Sequence, residues 1–201
     1  MSMRERLRRY IEYIRISEAN KIARRYFIMN SFDGSVTTLG VLLGVLFSGI
    51  TNPIQIVSIA LATGIALTIS GFSSTVIAEE AERSRDIQEL EESMLMDLKD
   101  TLYARAAKFS IFYVSMVNGI SPLLSTLLSI SPMILALYGL LDPDNALIAC
   151  IFLSLFYLGI LGIFIGEFTG RNRIKESLKL VGIGIATTVL VTLILEPISP
   201  T

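Results

Sequence analysis

The sequence predicts an all-α polytopic membrane protein with five transmembrane helices. An amphipathic N-terminal helix precedes them, and an acidic cytoplasmic helix extends the second span. Three observations carry this reading. Four stretches, 34–78, 109–141, 145–166 and 180–195, contain no charged residue. The chain is 52% hydrophobic, with a mean hydropathy of +0.64. All 17 lysines and arginines fall into three short segments. About 20 apolar residues cross a bilayer, and the shorter last run reaches that length if flanking side chains snorkel. Strands of a β-barrel would alternate rather than run apolar.

The first segment, 1–27, carries Arg4, Arg6, Arg8, Arg9, Arg15, Lys21, Arg24 and Arg25. Leu7, Ile11, Ile14, Ile22 and Tyr26 fall roughly on one helical face among these cations, the pattern of a helix lying on an anionic membrane surface. The segment is too long for the basic leader of a cleavable signal, so the first span is expected to act as the anchor.

Residues 28–78 hold two spans, about 33–50 and 54–78, separated by Thr51-Asn52-Pro53, which reads as a tight turn. Residues 79–108 are charged and begin without Gly or Pro, so the second helix is expected to continue through them. Residues 109–201 hold spans three to five. Ser121-Pro122 and Ser131-Pro132 are expected to kink or break the long third run, Asp142-Pro143-Asp144-Asn145 to turn the chain, and 169–179 to form a basic loop.

The remaining cations, Arg83, Arg85, Lys99, Arg105 and Lys108, then Arg171, Arg173, Lys175 and Lys179, share one side with the N-terminus only if the spans number five. The positive-inside rule makes that side cytoplasmic. The expected protein is therefore a multi-pass component of the cell membrane, N-terminus inside and C-terminus outside.

Composition excludes much chemistry. There is no histidine and no tryptophan, so histidine-based catalysis and histidine metal sites are ruled out. No nucleophile motif stands out, and no enzyme activity or resident cofactor is expected. Cys150 is the single cysteine, within an apolar run, and reads as a small buried residue.

Residues three and four apart share a helical face. Asp33, Thr37, Gly40, Gly44 and Ser48 give the first span one small or polar face. Gly64, Thr68, Gly71, Thr75 and Glu82 do the same for the second, and Ser115, Asn118, Pro122, Ser125 and Ser129 for the third. Gly159, Gly162, Gly166 and Gly170 line the fourth. Such faces serve close helix packing. The competing reading is a polar transport pathway through Asp33, Thr37, Thr68, Thr75 and Asn118. An ionised carboxylate deep in a bilayer is costly. Asp33 thus reads either as an ion site or as a helix N-cap, and Glu167 as an ion-pair partner of Arg171.

In the acidic segment, Glu79, Glu82, Asp86, Glu89, Asp97 and Asp100 crowd within roughly 80° of helical projection. Like charges so placed repel. The face is either a solvated surface with local arginine partners or a collector of divalent cations, for which carboxylates are suitable hard ligands.

The stretch Tyr26–Gly49, YFIMNSFDGSVTTLGVLLGVLFSG, resembles the first span of the vacuolar iron transporter family. The likeness continues in order over about 20–195. It takes in GIALTISGFSSTVIAEEAERSRD running into a Glu-rich helix, Gly-Ile-Ser-Pro in span three, GEFTGRNRIKES after span four, and LVGIGIATTVL in span five. Two departures mark a compact form: the acidic insert is short, and Gly71 stands where members often carry methionine.

The resemblance implies a homodimer of five-span subunits that exports divalent transition metals such as Fe2+ or Mn2+, in exchange for protons. Asp33 would bind the ion in transit, Gly34 would let backbones approach, and the threonines would supply hydroxyls. Glu79, Glu82, Asp86 and Glu89 match the family's acidic metal-binding region. Partners are then divalent ions, protons and membrane lipids, not nucleic acid. The alternative is a non-transporting membrane adaptor whose acidic helix docks a basic partner protein.

Overall fold

The computed structural model describes residues 12–98 and 101–198. Asp100 of the acidic face lies outside them, as do Arg4, Arg6, Arg8, Arg9, Leu7 and Ile11. After helical residues 12–16, the described chain forms α1 (Ala19–Phe47), α2 (Pro53–Met94), α3 (Leu102–Ser129), α4 (Ser131–Leu137), α5 (Pro143–Thr169) and α6 (Arg173–Leu195), then a 3-10 turn, Glu196–Ile198. No strand occurs among the described residues. Helices α1, α2, α3, α5 and α6 are each long and apolar enough to cross a membrane, so the five-span expectation holds.

Their ends follow from local chemistry. Helix α1 begins at Ala19, well before the expected first span, because no Gly or Pro interrupts 19–33. It stops at Gly49, whose φ of +66° is costly for other residues. Asn52 then caps α2: its side-chain oxygen accepts from Ile54 N at 2.9 Å, and Pro53 takes the first helical position. Helix α2 runs 42 residues, about 63 Å at 1.5 Å per residue, twice a bilayer's apolar thickness. The acidic segment therefore does continue the second helix, as expected, but only to Met94. Leu95, at φ +52°, ends it, and α3 starts at Leu102.

The two prolines of the third run behave differently. Pro122 lies inside α3, which continues to Ser129. Ser131-Pro132 starts α4 after Ile130 leaves helical geometry. The turn expected at Asp142–Asn145 falls earlier, around Gly139 at φ +70°. Asp142 is instead the N-cap of α5, accepting from Asn145 N, with Pro143 next. Gly170, at φ +65°, closes α5, and Asn172 caps α6 by accepting from Ile174 N and Lys175 N.

The chain divides into two compact units. One takes residues to Phe27 together with Ile69–Ile120; the other takes Ile28–Thr68 with Ser121 onward. The first unit packs Ala19 and Ala23 against Val114, flanked by Ile22, Tyr26 and Tyr113. In the second, Leu42 and Val45 meet Ile56, Ala60, Met133 and Leu147, and Cys150 is fully buried among them. Lipid is as apolar as these side chains, so close packing and interhelical hydrogen bonds hold spans together.

Candidate ion pathway

Within the second unit, the Asp-Gly-Ser-Val-Thr block is a packing device on one side and open on the other. A Cβ on Gly34 would come within 2.6 Å of Pro122 Cα, so only glycine lets α1 lie this close to α3. One turn on, the Thr38 hydroxyl bonds Gly34 O at 2.7 Å and meets the Thr126 hydroxyl at 2.9 Å. Gly64 of α2 fits against the same Thr126, and Ser35 donates to Ser154 O of α5.

Asp33 is exposed and Thr37 half-buried. A Cβ added to Gly40 or Gly44, on the same face, would meet nothing within 4 Å. Asp33 lies well inside α1, so the N-cap alternative is overturned: capping requires a helix start, and this helix starts at Ala19. The Thr68 hydroxyl is spent on its own helix, bonding Gly64 O at 2.9 Å.

Thr75 and Asn118 belong to the first unit, where a hydrogen bond joins them. The Asn118 amide nitrogen donates to Gly71 O at 3.0 Å and closely to the Thr75 hydroxyl. A carbonyl can only accept, so this orientation turns Asn118 Oδ1 the other way. That oxygen and the hydroxyls of Ser110 and Ser115 are buried with no partner among the described residues. Glu79, one turn from Thr75, is 3% exposed. It has Arg83 at 3.8 Å, and its charge acts on the nearby Tyr26 hydroxyl.

The other acidic residues are dispersed. Glu82 and Glu89 are exposed, Asp86 half-buried, and Glu89 pairs with Arg85 at 2.8 Å. Among the described residues, no three carboxylate or thiol side chains converge as a metal centre. One helix spreads its carboxylates by a turn each, so it cannot gather four around one ion.

The glycine face of α5 is packing. A Cβ on Gly162 would lie 2.6 Å from Glu176 O, one on Gly166 2.5 Å from Arg173 Cα, and Ser177 donates to Gly159 O at 2.9 Å. Glu167 pairs with Arg173 at 3.5 Å rather than with Arg171, which reaches Glu176. Residue-level reasoning missed the roles of Thr38, Thr126 and Tyr26. The Gly34–Thr38 spacing of four was visible, but it competed with the Asp33–Thr37 face one residue away.

No protein-family profile matches the chain. Over 169 residues, 83% of this chain and 85% of the other, it is 30% identical to "Uncharacterized protein MJ0645" of Methanocaldococcus jannaschii. Identity of that extent, spanning most of both chains, shows that this five-span protein belongs to the same family as the Methanocaldococcus jannaschii protein.

Proposed function

We propose that the protein is a secondary transporter that moves divalent transition-metal ions, Fe2+ or Mn2+ in kind, out of the cytoplasm in exchange for protons. It would work as a homodimer in the cell membrane, N-terminus inside and C-terminus outside, an orientation supported by the confinement of the cations to three segments. The amphipathic N-terminal segment would lie on the inner leaflet.

The observation that carries the reading is the open face of α1. Asp33 is the only carboxylate between Phe27 and Ala78, it is exposed, and a Cβ added to Gly40 or Gly44 beyond it would meet nothing. Small residues let a second copy of the same face approach closely. A carboxylate there would compensate a cation in a poorly hydrated path. The acidic face of α2 would raise the local cation concentration. The resemblance of Tyr26–Gly49 to the vacuolar iron transporters supports the substrate class.

The test is Mn2+ uptake into liposomes carrying the protein or its Asp33→Asn variant. Asn keeps the shape and removes the charge, so the variant should fold normally and lose transport. Wild-type transport by Asp33→Asn would remove the residue from the mechanism.

The adaptor reading keeps one observation in its favour. Met94, Leu95 and Met96, at the tip of the acidic helix, are 58%, 92% and 53% exposed, as a docking tip would be. An adaptor would reconstitute without any metal-dependent proton flux.

A further inference from the structure

The first unit contains a crevice lined by Ile14, Arg15, Glu18, Asn20 and Lys21. It exists because the helix breaks. Ser17 and Glu18 form a turn between the helical residues 12–16 and α1, and Glu18 takes φ +52°, a conformation costly for a residue with a Cβ. In an unbroken helix, residues six apart would point about 120° away from each other. The break brings Arg15 and Lys21 to one crevice, with Ile14 as its apolar wall. The break is also fastened: the Ser17 hydroxyl bonds Tyr13 O at 2.7 Å, Arg83 of α2 donates to Ser17 O at 3.2 Å, and Tyr113 of α3 donates to Asn20 Oδ1 at 3.1 Å.

Depth in the membrane suits a lipid. Helix α1 has 29 residues, about 43 Å of helix against an apolar core of about 30 Å. If Phe47 marks the far boundary of the core, the excess of about 13 Å covers residues 19–27, in the headgroup layer. Lys21 is exposed there, with Arg24 and Arg25 on the next turn, and exposed Arg15 lies just across the helix break. The one carboxylate in the crevice, Glu18, pairs with Lys21 at 2.8 Å, but the two side chains are 62% and 69% exposed. Such a surface pair is weak, and an arriving anion can displace it.

We propose that this crevice seats the phosphate headgroup of an anionic phospholipid. Arg15 and Lys21 would hold the phosphate, the Asn20 amide would contribute a hydrogen bond, and Ile14 would lie against the start of the acyl chains. Two cations and an apolar wall at headgroup depth match a lipid rather than a soluble anion. The site is independent of ion transport: it stands or falls on lipid binding alone.

The test uses the full chain in phosphatidylcholine nanodiscs, with and without added phosphatidylglycerol. Phosphatidylglycerol should raise the melting temperature of the wild-type protein. The Arg15→Gln/Lys21→Gln variant should melt like wild type in phosphatidylcholine and lose the rise. An Arg171→Gln/Lys175→Gln variant, which removes two cations elsewhere, should keep it. Native mass spectrometry should count fewer retained phosphatidylglycerol molecules on the first variant only. Three results would each overturn the proposal: no rise in the wild type, a full rise in Arg15→Gln/Lys21→Gln, or an equal rise from inorganic phosphate without the lipid.

Discussion

Gly34 and Gly40 stand six residues apart on one helix and illustrate opposite uses of the same residue. At Gly34 a methyl group would strike the Pro122 backbone. Gly34→Ala should therefore cost about 1–3 kcal/mol, the usual penalty for overpacking, measured as a lowered melting temperature in detergent. Gly40 faces open space, so Gly40→Ala should leave the subunit's stability unchanged or raise it by up to about 1 kcal/mol through helix propensity. If that face joins two subunits, Gly40→Leu should shift the protein from dimer to monomer on size exclusion without lowering subunit stability. Asp33 lies on the same side as Gly40, which is why its replacement by Asn should not unfold the protein.

Between elements, polar groups do the specific joining. Asn118 ties α3 to α2 through Gly71 O and Thr75. Asn118→Ala should lower stability by about 1 kcal/mol, and a double-mutant cycle with Thr75→Val should return a coupling of similar size; additivity would show the two side chains to be independent. On the acidic helix, Glu79 is already paired with Arg83, so the proposed cation-collecting role would fall to exposed or half-buried carboxylates. Glu82→Gln, Asp86→Asn and Glu89→Gln together should weaken apparent Mn2+ affinity at low salt more than they lower maximal rate. An unchanged affinity would make that face a solvated surface only.

The elements were legible in the sequence to different degrees. Span number was plain, because uncharged length and the placement of lysine and arginine constrain it together. The extension of α2 was also plain, since nothing between Ala78 and Met94 breaks a helix. Helix starts were less so: Asp33 resembles a cap until the continuity of 19–33 is known, and Pro122 resembles a break although α3 passes through it. Partner choice was not legible at all. Thr37 and Thr38 are equally good hydroxyls, and only the approach of Pro122 and Thr126 shows which one faces inward.

For the whole molecule, the topology and the exchange reaction can be tested separately. In a Cys150→Ala background, cysteines at Thr51 and Asn145 should react with an impermeant thiol reagent from outside, and one at Asn172 only from inside. External labelling at 172 would overturn the proposed orientation, which rests on the confinement of the lysines and arginines to three segments. The central claim, metal exchange for protons, is tested most directly by wild-type protein in sealed liposomes with a pH-sensitive dye inside. An inward Mn2+ gradient should drive protons out and alkalinise the lumen, in proportion to the protein incorporated and in no liposome lacking it. A lumenal pH that ignores the Mn2+ gradient while the protein is folded and correctly inserted would contradict the account.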